Sequence, residues 1–321
     1  AQMTKIAFMA SDAIALDSIR AVYAGADSEL VCVVSNPDKP KGRGKKLSPN
    51  DVSAWALENG VELLRPEKTP DDSVCERLRQ LGTELIVVMA YGRILRKNVL
   101  EFGKFPCLNL HASLLPDLRG ASPVESAIAL GYEKTGVSLM AIEPEMDAGA
   151  VCAEIEVPIA ASDDSASLRA KIGAAAAKLL TDNLAAIVGG TAKFVPQNSA
   201  LATYTRKFTP DDRLADFSLS ARELANRVRA FSFAVAELDG ERIKLAGARA
   251  EKASRENDVC GRVVAASKSD GLRIACKGSD IVFDFIQKPC AKMLACADFF
   301  TGNSIEVGKI FASVPSRPIL K

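Results

Sequence analysis

Through its first 190 residues the chain alternates short apolar runs with segments of helical period, and this alternation constrains the fold more than any other feature. Lys5–Met9 reads as a first strand, and Asp12–Tyr23 as a helix with Ile14, Ile19 and Val22 on its apolar side. Leu30–Val34 reads as a second strand, after which Ser48 and Pro49 open a helix, with serine as N-cap and proline in the first turn. Asp71–Leu81 reads as a helix closed by Gly82. The dense apolar run of Glu84–Met89 is a buried strand, Arg93–Phe102 is helical, and Pro106–Leu110 is the next strand. Strands that alternate with helices predict βαβ units. The expectation for residues 1–190 is an α/β domain, a Rossmann-like and mostly parallel sheet with helices on both faces.

Further along, Ser122 and Pro123 start a helix, with Glu125 completing a capping box. Gly136–Ile142 and Cys152–Pro158 read as strands around a loop, and Ser162–Gly190 as a long alanine-rich helix. The pattern is lost over residues 191–207, read as an extended linker. After an amphipathic helix at Leu219–Phe233, apolar runs recur at a spacing of about ten residues. They are Arg242–Ala246, Gly261–Ala266, Leu272–Cys276 and Ile281–Ile286, and they predict a small antiparallel barrel or sandwich within residues 208–321.

Composition excludes several classes. No apolar stretch reaches the roughly 18 residues needed to span a bilayer, and no charged-then-apolar leader precedes Lys5. Eight scattered cysteines without a Cys-x-x-Cys pair, beside one histidine, argue against zinc and for reduced thiols in a cytoplasmic protein. The net charge is only +1, but it is unevenly placed. From Tyr204 to Lys321 there are 20 basic and 15 acidic residues, against 21 and 25 before them, which suggests a polyanionic partner for the C-terminal part.

The only histidine, His111, stands two residues after Asn109, at the end of the strand that begins at Pro106. Alternate residues of a strand face the same way, so Asn109 and His111 project side by side where α/β folds hold their ligands. The loop Glu143–Gly149 lies between two predicted strands, and Asp147 is the candidate third member. These types suit acyl transfer to an amine. An asparagine amide and an imidazolium can both donate to a tetrahedral oxyanion, and a nearby carboxylate favours the charged imidazole.

Three separated segments resemble the formyltetrahydrofolate-dependent formyltransferases. They are Asn109-x-His111-x-Ser113-Leu114-Leu115-Pro116 followed by Arg119-Gly120 and Pro123, then Asp147-Ala148-Gly149, and Ala90-Tyr91-Gly92-Arg93-Ile94-Leu95. The resemblance implies catalytic roles for Asn109, His111 and Asp147, with 10-formyltetrahydrofolate as donor and no metal. It implies that Ser113, Leu114, Leu115 and Pro116 form a folate-contacting turn. Arg93, Ile94, Leu95 and the backbone of Glu143–Asp147 would shape the pteridine pocket.

The acceptor is set by Pro37–Lys46, which carries five basic residues in eight positions: Lys39, Lys41, Arg43, Lys45 and Lys46. Broken by proline and glycine, the segment reads as a mobile cationic loop suited to phosphates. It resembles the insertion loop of those family members that formylate initiator methionyl-tRNA, and the C-terminal part resembles their OB-like, tRNA-contacting barrel. The resemblance implies initiator methionyl-tRNA as partner, and a site within one chain implies a monomer. Competing readings are a formyltransferase for an amino-sugar nucleotide or glycinamide ribonucleotide, and an RNA-binding relative without catalysis. The chain departs from the family pattern at Ala10-Ser11, Phe217, Ser232–Val235 and Cys290, the last replacing a usual glycine.

Overall fold

The computed structural model describes residues 3–41, 46–254 and 258–321. Among the described residues, ten strands belong to the N-terminal part: β1 (Thr4–Met9), β2 (Ser28–Val34), β3 (Lys39–Lys41), β4 (Lys46–Ser48), β5 (Leu63–Leu64), β6 (Leu85–Val88), β7 (Leu108–His111), β8 (Arg119–Gly120), β9 (Lys134–Ala141) and β10 (Val151–Pro158). Among the described residues the α-helices of this stretch are α1 (Leu16–Ala24), α2 (Asp51–Glu58), α3 (Asp72–Gln80), α4 (Lys97–Leu100), α5 (Pro123–Ala129) and α6 (Ser165–Val188). The main sheet runs β10-β9-β7-β6-β1-β2-β5. The five strands from β7 to β5 are parallel, while β9 and β10 are antiparallel to their neighbours.

Parallel pairing places the carboxyl ends of β1, β2, β6 and β7 on one edge of the sheet. The first turn (Ala10–Asp12), the basic segment after β2, the turn after β6 and His111 therefore share that edge. Hydrogen bonds join three of these loops. Asn36 donates through its main-chain N–H to Ser11 Oγ (3.0 Å), and through its amide to the carbonyl of Tyr91 (2.8 Å). One face of the sheet packs Met9, Val34, Ile86 and Val88 against Val74, Leu78 and Val99. The alternate residues Ile6, Phe8, Val33, Leu85 and Val87 are buried as well, and burial on both faces makes the runs in β1, β2 and β6 read as continuous apolar strands rather than alternating ones.

Several boundaries differ from expectation. Ser48 ends β4 opposite Lys39 and does not cap α2; the cap is Asn50, whose side chain accepts from the Ser53 N–H. The helix expected over Arg93–Phe102 is limited to α4, because Arg96 is extended (φ −89°, ψ 167°) and stands as its N-cap, while Arg93 upstream donates to the carbonyls of Pro66 and Lys68. The basic segment is not wholly a loop: its flanks Lys39–Lys41 and Lys46–Ser48 pair as antiparallel strands. Arg43 and Lys45 lie outside the described residues. The stretch expected to be a linker belongs, up to Tyr204, to the same compact unit as the main sheet.

A second compact unit comprises Val124–Glu133, Ile159–Ser167 and Thr205–Lys321. After β11 (Tyr204–Thr205) and α7 (Ala221–Phe231) come β12 (Ala234–Leu238), β13 (Glu241–Lys252), β14 (Val263–Ser267), β15 (Gly271–Cys276), β16 (Ser279–Gln287), β17 (Leu294–Ala295) and α8 (Cys296–Gly302). The antiparallel order is β12-β13-β16-β15-β14, with β17 on β16. The two ends of this sheet are joined by one segment: Phe311 N–H donates to the Gly261 carbonyl and Ala312 N–H to the Glu237 carbonyl, both at 2.8 Å. This closes the barrel expected from the sequence around a core of Phe217, Leu224, Val228, Ile243, Leu245, Phe283 and Phe311. The α7 helix is fixed at its start by a capping box between Ser220 and Glu223.

Cys290 adopts φ 58°, a left-handed conformation that glycine takes without steric cost. This explains why glycine is usual there. Replacing Cys290 with glycine is expected to raise stability by about 0.5–1 kcal/mol, read as a higher urea midpoint at unchanged slope.

Candidate active site

Strand β7 carries Asn109 and His111 on one face, with His111 paired to Ser138 of β9 and Asn109 to Met140. His111 is buried. Its Nε2 lies 3.0 Å from the carbonyl oxygen of Leu118, which can only accept, so Nε2 carries a proton. Its Nδ1 lies 3.7 Å from Asp147 Oδ2, beyond a hydrogen bond but within ion-pair range. That nitrogen is left for a substrate, beside a carboxylate. The Asn109 amide is half-buried and has no hydrogen-bond partner among the described residues.

Asp147 is held from two sides. Gly120 N–H donates to its Oδ2 (2.7 Å), and the Gln197 amide donates to its carbonyl (2.9 Å) and to that of Gly149 (2.7 Å). Asp147 has φ 51°, a left-handed conformation. Two positions further on, only glycine fits: a Cβ at Gly149 would overlap the carbonyl oxygen of Ala141. The spacing Asp147-x-Gly149 is thus a steric requirement of bringing this loop against β9.

The turn Ser113–Pro116 is committed inward. Ser113 Oγ donates to the Asp117 carbonyl (2.6 Å), and Leu115 N–H donates to Ser138 Oγ (2.9 Å). Leu114 packs where a side chain at Gly136 would collide with it, and Leu115 is buried. The side chains of Ser113, Leu114 and Leu115 therefore build the loop that carries Leu118 to His111. Near the same sheet edge, Ile94 is 82% exposed, an apolar side chain open to solvent, while Leu95 packs on the core. Of the basic residues, Lys39 and Lys46 are exposed.

Sequence reasoning did not find Leu118, Gly120, Arg119 or Gln197 as parts of the site. Arg119 is fully buried; its Nε and Nη2 donate to Gln197 Oε1 (3.1 and 2.7 Å) and its Nη1 to Tyr204 Oη (3.1 Å). Arg119-Gly120 was visible only as part of a motif. Leu118 acts through its carbonyl, and no side-chain pattern marks that.

Comparison with known proteins gives the family of the chain. Residues 4–184 match the formyl transferase family, and residues 207–304 match the formyl transferase C-terminal domain. The chain belongs to the formyl transferase family, enzymes that transfer a one-carbon formyl unit. Among its relatives are the methionyl-tRNA formyltransferases of Stenotrophomonas maltophilia and of a Sulfurihydrogenibium species. The first is 38% identical over 303 residues, covering 93% of this chain and 97% of the relative. The second is 33% identical over 311 residues, covering 96% and 99%. The fold is shared with an N-formyltransferase of Helicobacter canadensis solved with folinic acid and dTDP-3-aminofucose. There the TM-score is 0.63 at 19% identity, over 89% of this chain and all of that one. It is also shared with HypX of Aquifex aeolicus, solved with tetrahydrofolic acid, at a TM-score of 0.61 and 17% identity over 96% of this chain and 51% of that one.

Proposed function

We propose that this protein transfers the formyl group of 10-formyltetrahydrofolate to the α-amine of initiator methionyl-tRNA, as a cytoplasmic monomer serving translation initiation. The observation that carries this reading is the cluster at the carboxyl edge of the sheet. A buried His111 is tethered through Nε2, its other nitrogen lies 3.7 Å from Asp147, and an unpartnered Asn109 amide stands on the same strand face. Relatives that are methionyl-tRNA formyltransferases over nearly the whole chain support the choice of acceptor.

In this reading Asn109 and His111 donate hydrogen bonds to the oxyanion formed as the amine attacks the formyl carbon. Asp147, 3.7 Å from the His111 Nδ1, steers a water that accepts the amine proton. The new carbon–nitrogen bond forms to the amine, the bond to the folate nitrogen breaks, and that nitrogen takes up one proton for the one the amine loses. Ile94, Leu95, Arg93 and the turn Ser113–Pro116 border the folate pocket, together with the backbone of Glu143–Asp147. Residues 1–190 hold catalysis, and 208–321 bind tRNA.

The basic segment Lys39, Lys41, Arg43, Lys45 and Lys46 meets the acceptor's phosphates. Replacing Arg43 and Lys45 together is expected to weaken methionyl-tRNA binding and to lower the slope of log K against log salt by about 2, near one per phosphate contact. Titration of aminoacylated tRNA at several salt concentrations reads both. Formyl transfer from labelled donor to methionyl-tRNA, with glycinamide ribonucleotide and an amino-sugar nucleotide as competing acceptors, decides the substrate. Transfer to a small amine in preference to tRNA would overturn the assignment.

A further inference from the structure

We infer that residues 197–203, which the sequence presents as part of a linker, form a brace that sets the spacing between His111 and Asp147. Gln197 is the positioning residue on the Asp147 side and Thr203 on the His111 side. The inference rests on the reading that His111 and Asp147 are catalytic.

Gln197 uses its whole hydrogen-bonding capacity. Its oxygen accepts twice from Arg119, and its two N–H groups go to the carbonyls of Asp147 and Gly149. Arg119 is fully buried, and the next residue, Gly120, holds the Asp147 carboxylate through its N–H. A closed ring results. The Arg119 side chain reaches the Asp147 backbone through Gln197, and the Gly120 backbone reaches the Asp147 side chain directly.

The other end of the brace repeats the logic. Thr203 Oγ1 accepts from the Leu118 N–H (2.8 Å) and donates to the Asp117 carboxylate, while the Thr203 carbonyl accepts from the Arg119 N–H (2.9 Å). Leu118 is the residue whose carbonyl holds His111 Nε2. Both Leu118 (φ 56°) and Asp147 (φ 51°) are in the left-handed region that L side chains rarely adopt. Each conformation aims one group at the His111–Asp147 pair, and each is pinned by a side chain of the same short segment.

Gln197→Glu separates positioning from folding. A carboxylate keeps the Arg119 contact and makes it charge-assisted. It has no donor for the Asp147 and Gly149 carbonyls, so it releases the loop. Losing these two hydrogen bonds is expected to lower the melting temperature by a few degrees, while kcat of the fully folded variant falls about tenfold or more, with KM for both substrates within about twofold. The ring resonances of His111, the only histidine in the chain, are expected to move in the NMR spectrum of the free protein. Thr203→Val should also lower kcat and move those resonances, whereas Thr203→Ser, which keeps the oxygen, restores both. Parent kcat with unmoved His111 resonances in the Gln197→Glu protein overturns the brace. So does activity that falls only in step with folded protein. If the parent itself transfers no formyl group, the catalytic reading fails, and the resonances still decide the brace.

Discussion

Replacing His111 with asparagine is expected to lower kcat for formyl transfer by about 10³, the upper range for losing an oxyanion donor. The chain contains no second histidine, so no other imidazole can take over. The Leu118 carbonyl holds Nε2, which leaves Nδ1, beside Asp147, as the working nitrogen. Asparagine is shorter, so its amide reaches neither the Leu118 carbonyl nor the place beside Asp147 where Nδ1 stands. KM for methionyl-tRNA is expected to change little, because the proposed acceptor contacts lie in the basic segment and the barrel. Replacing Asn109 with alanine should cost about 10² in kcat. The double variant should fall only slightly below the His111 variant, since the two groups act on one charge and their effects are not additive. A His111 variant with kcat within a few-fold of the parent, folded by circular dichroism, would refute the assignment.

The main strands were legible because burial on both faces makes the runs in β1, β2 and β6 dense and apolar. The two-residue strands β5, β8 and β11 left no such trace, since their partners are distant in sequence and their own side chains need follow no pattern. The pair Asn109 and His111 could be read because two polar residues break an otherwise apolar strand at the period of the pleat. Asp147 was placed by motif, and Gly149 now has a steric reason. Leu118, Gly120 and Gln197 were not legible, because two of them act through main-chain atoms and the third reaches the site from 50 residues beyond Asp147. The false helix at Arg93 arose from a permissive local sequence; the backbone is extended at Arg96, and nothing in the local pattern marks that.

The C-terminal unit is expected to lose stability in acid through Asp216, a buried carboxylate that joins two segments about a hundred residues apart. It accepts from the main-chain N–H of Ser218 (3.1 Å) and of Ser316 (2.7 Å), and from Ser218 Oγ (2.5 Å). Burial alone would raise its pKa. The hydrogen bonds from Ser218 and Ser316 outweigh that and hold the carboxyl below its ordinary value of 3.8. Asp212 behaves likewise, with burial opposed by Arg206 and by Thr209. A carboxyl lowered in the folded state takes up protons more readily when unfolded. Its stabilisation is therefore complete above the unfolded value and is lost as pH falls through the folded one. Asp216→Asn is expected to cost about 2–4 kcal/mol at pH 7, since the amide turns donors toward donors in a buried place. In urea denaturation of the full chain, the gap between parent and variant should narrow as the pH drops below 4 toward the folded-state value, because the parent then loses the same charge. A gap of equal size at pH 7 and at the acid end would mean that Asp216 acts by shape, with its ionised oxygens contributing nothing.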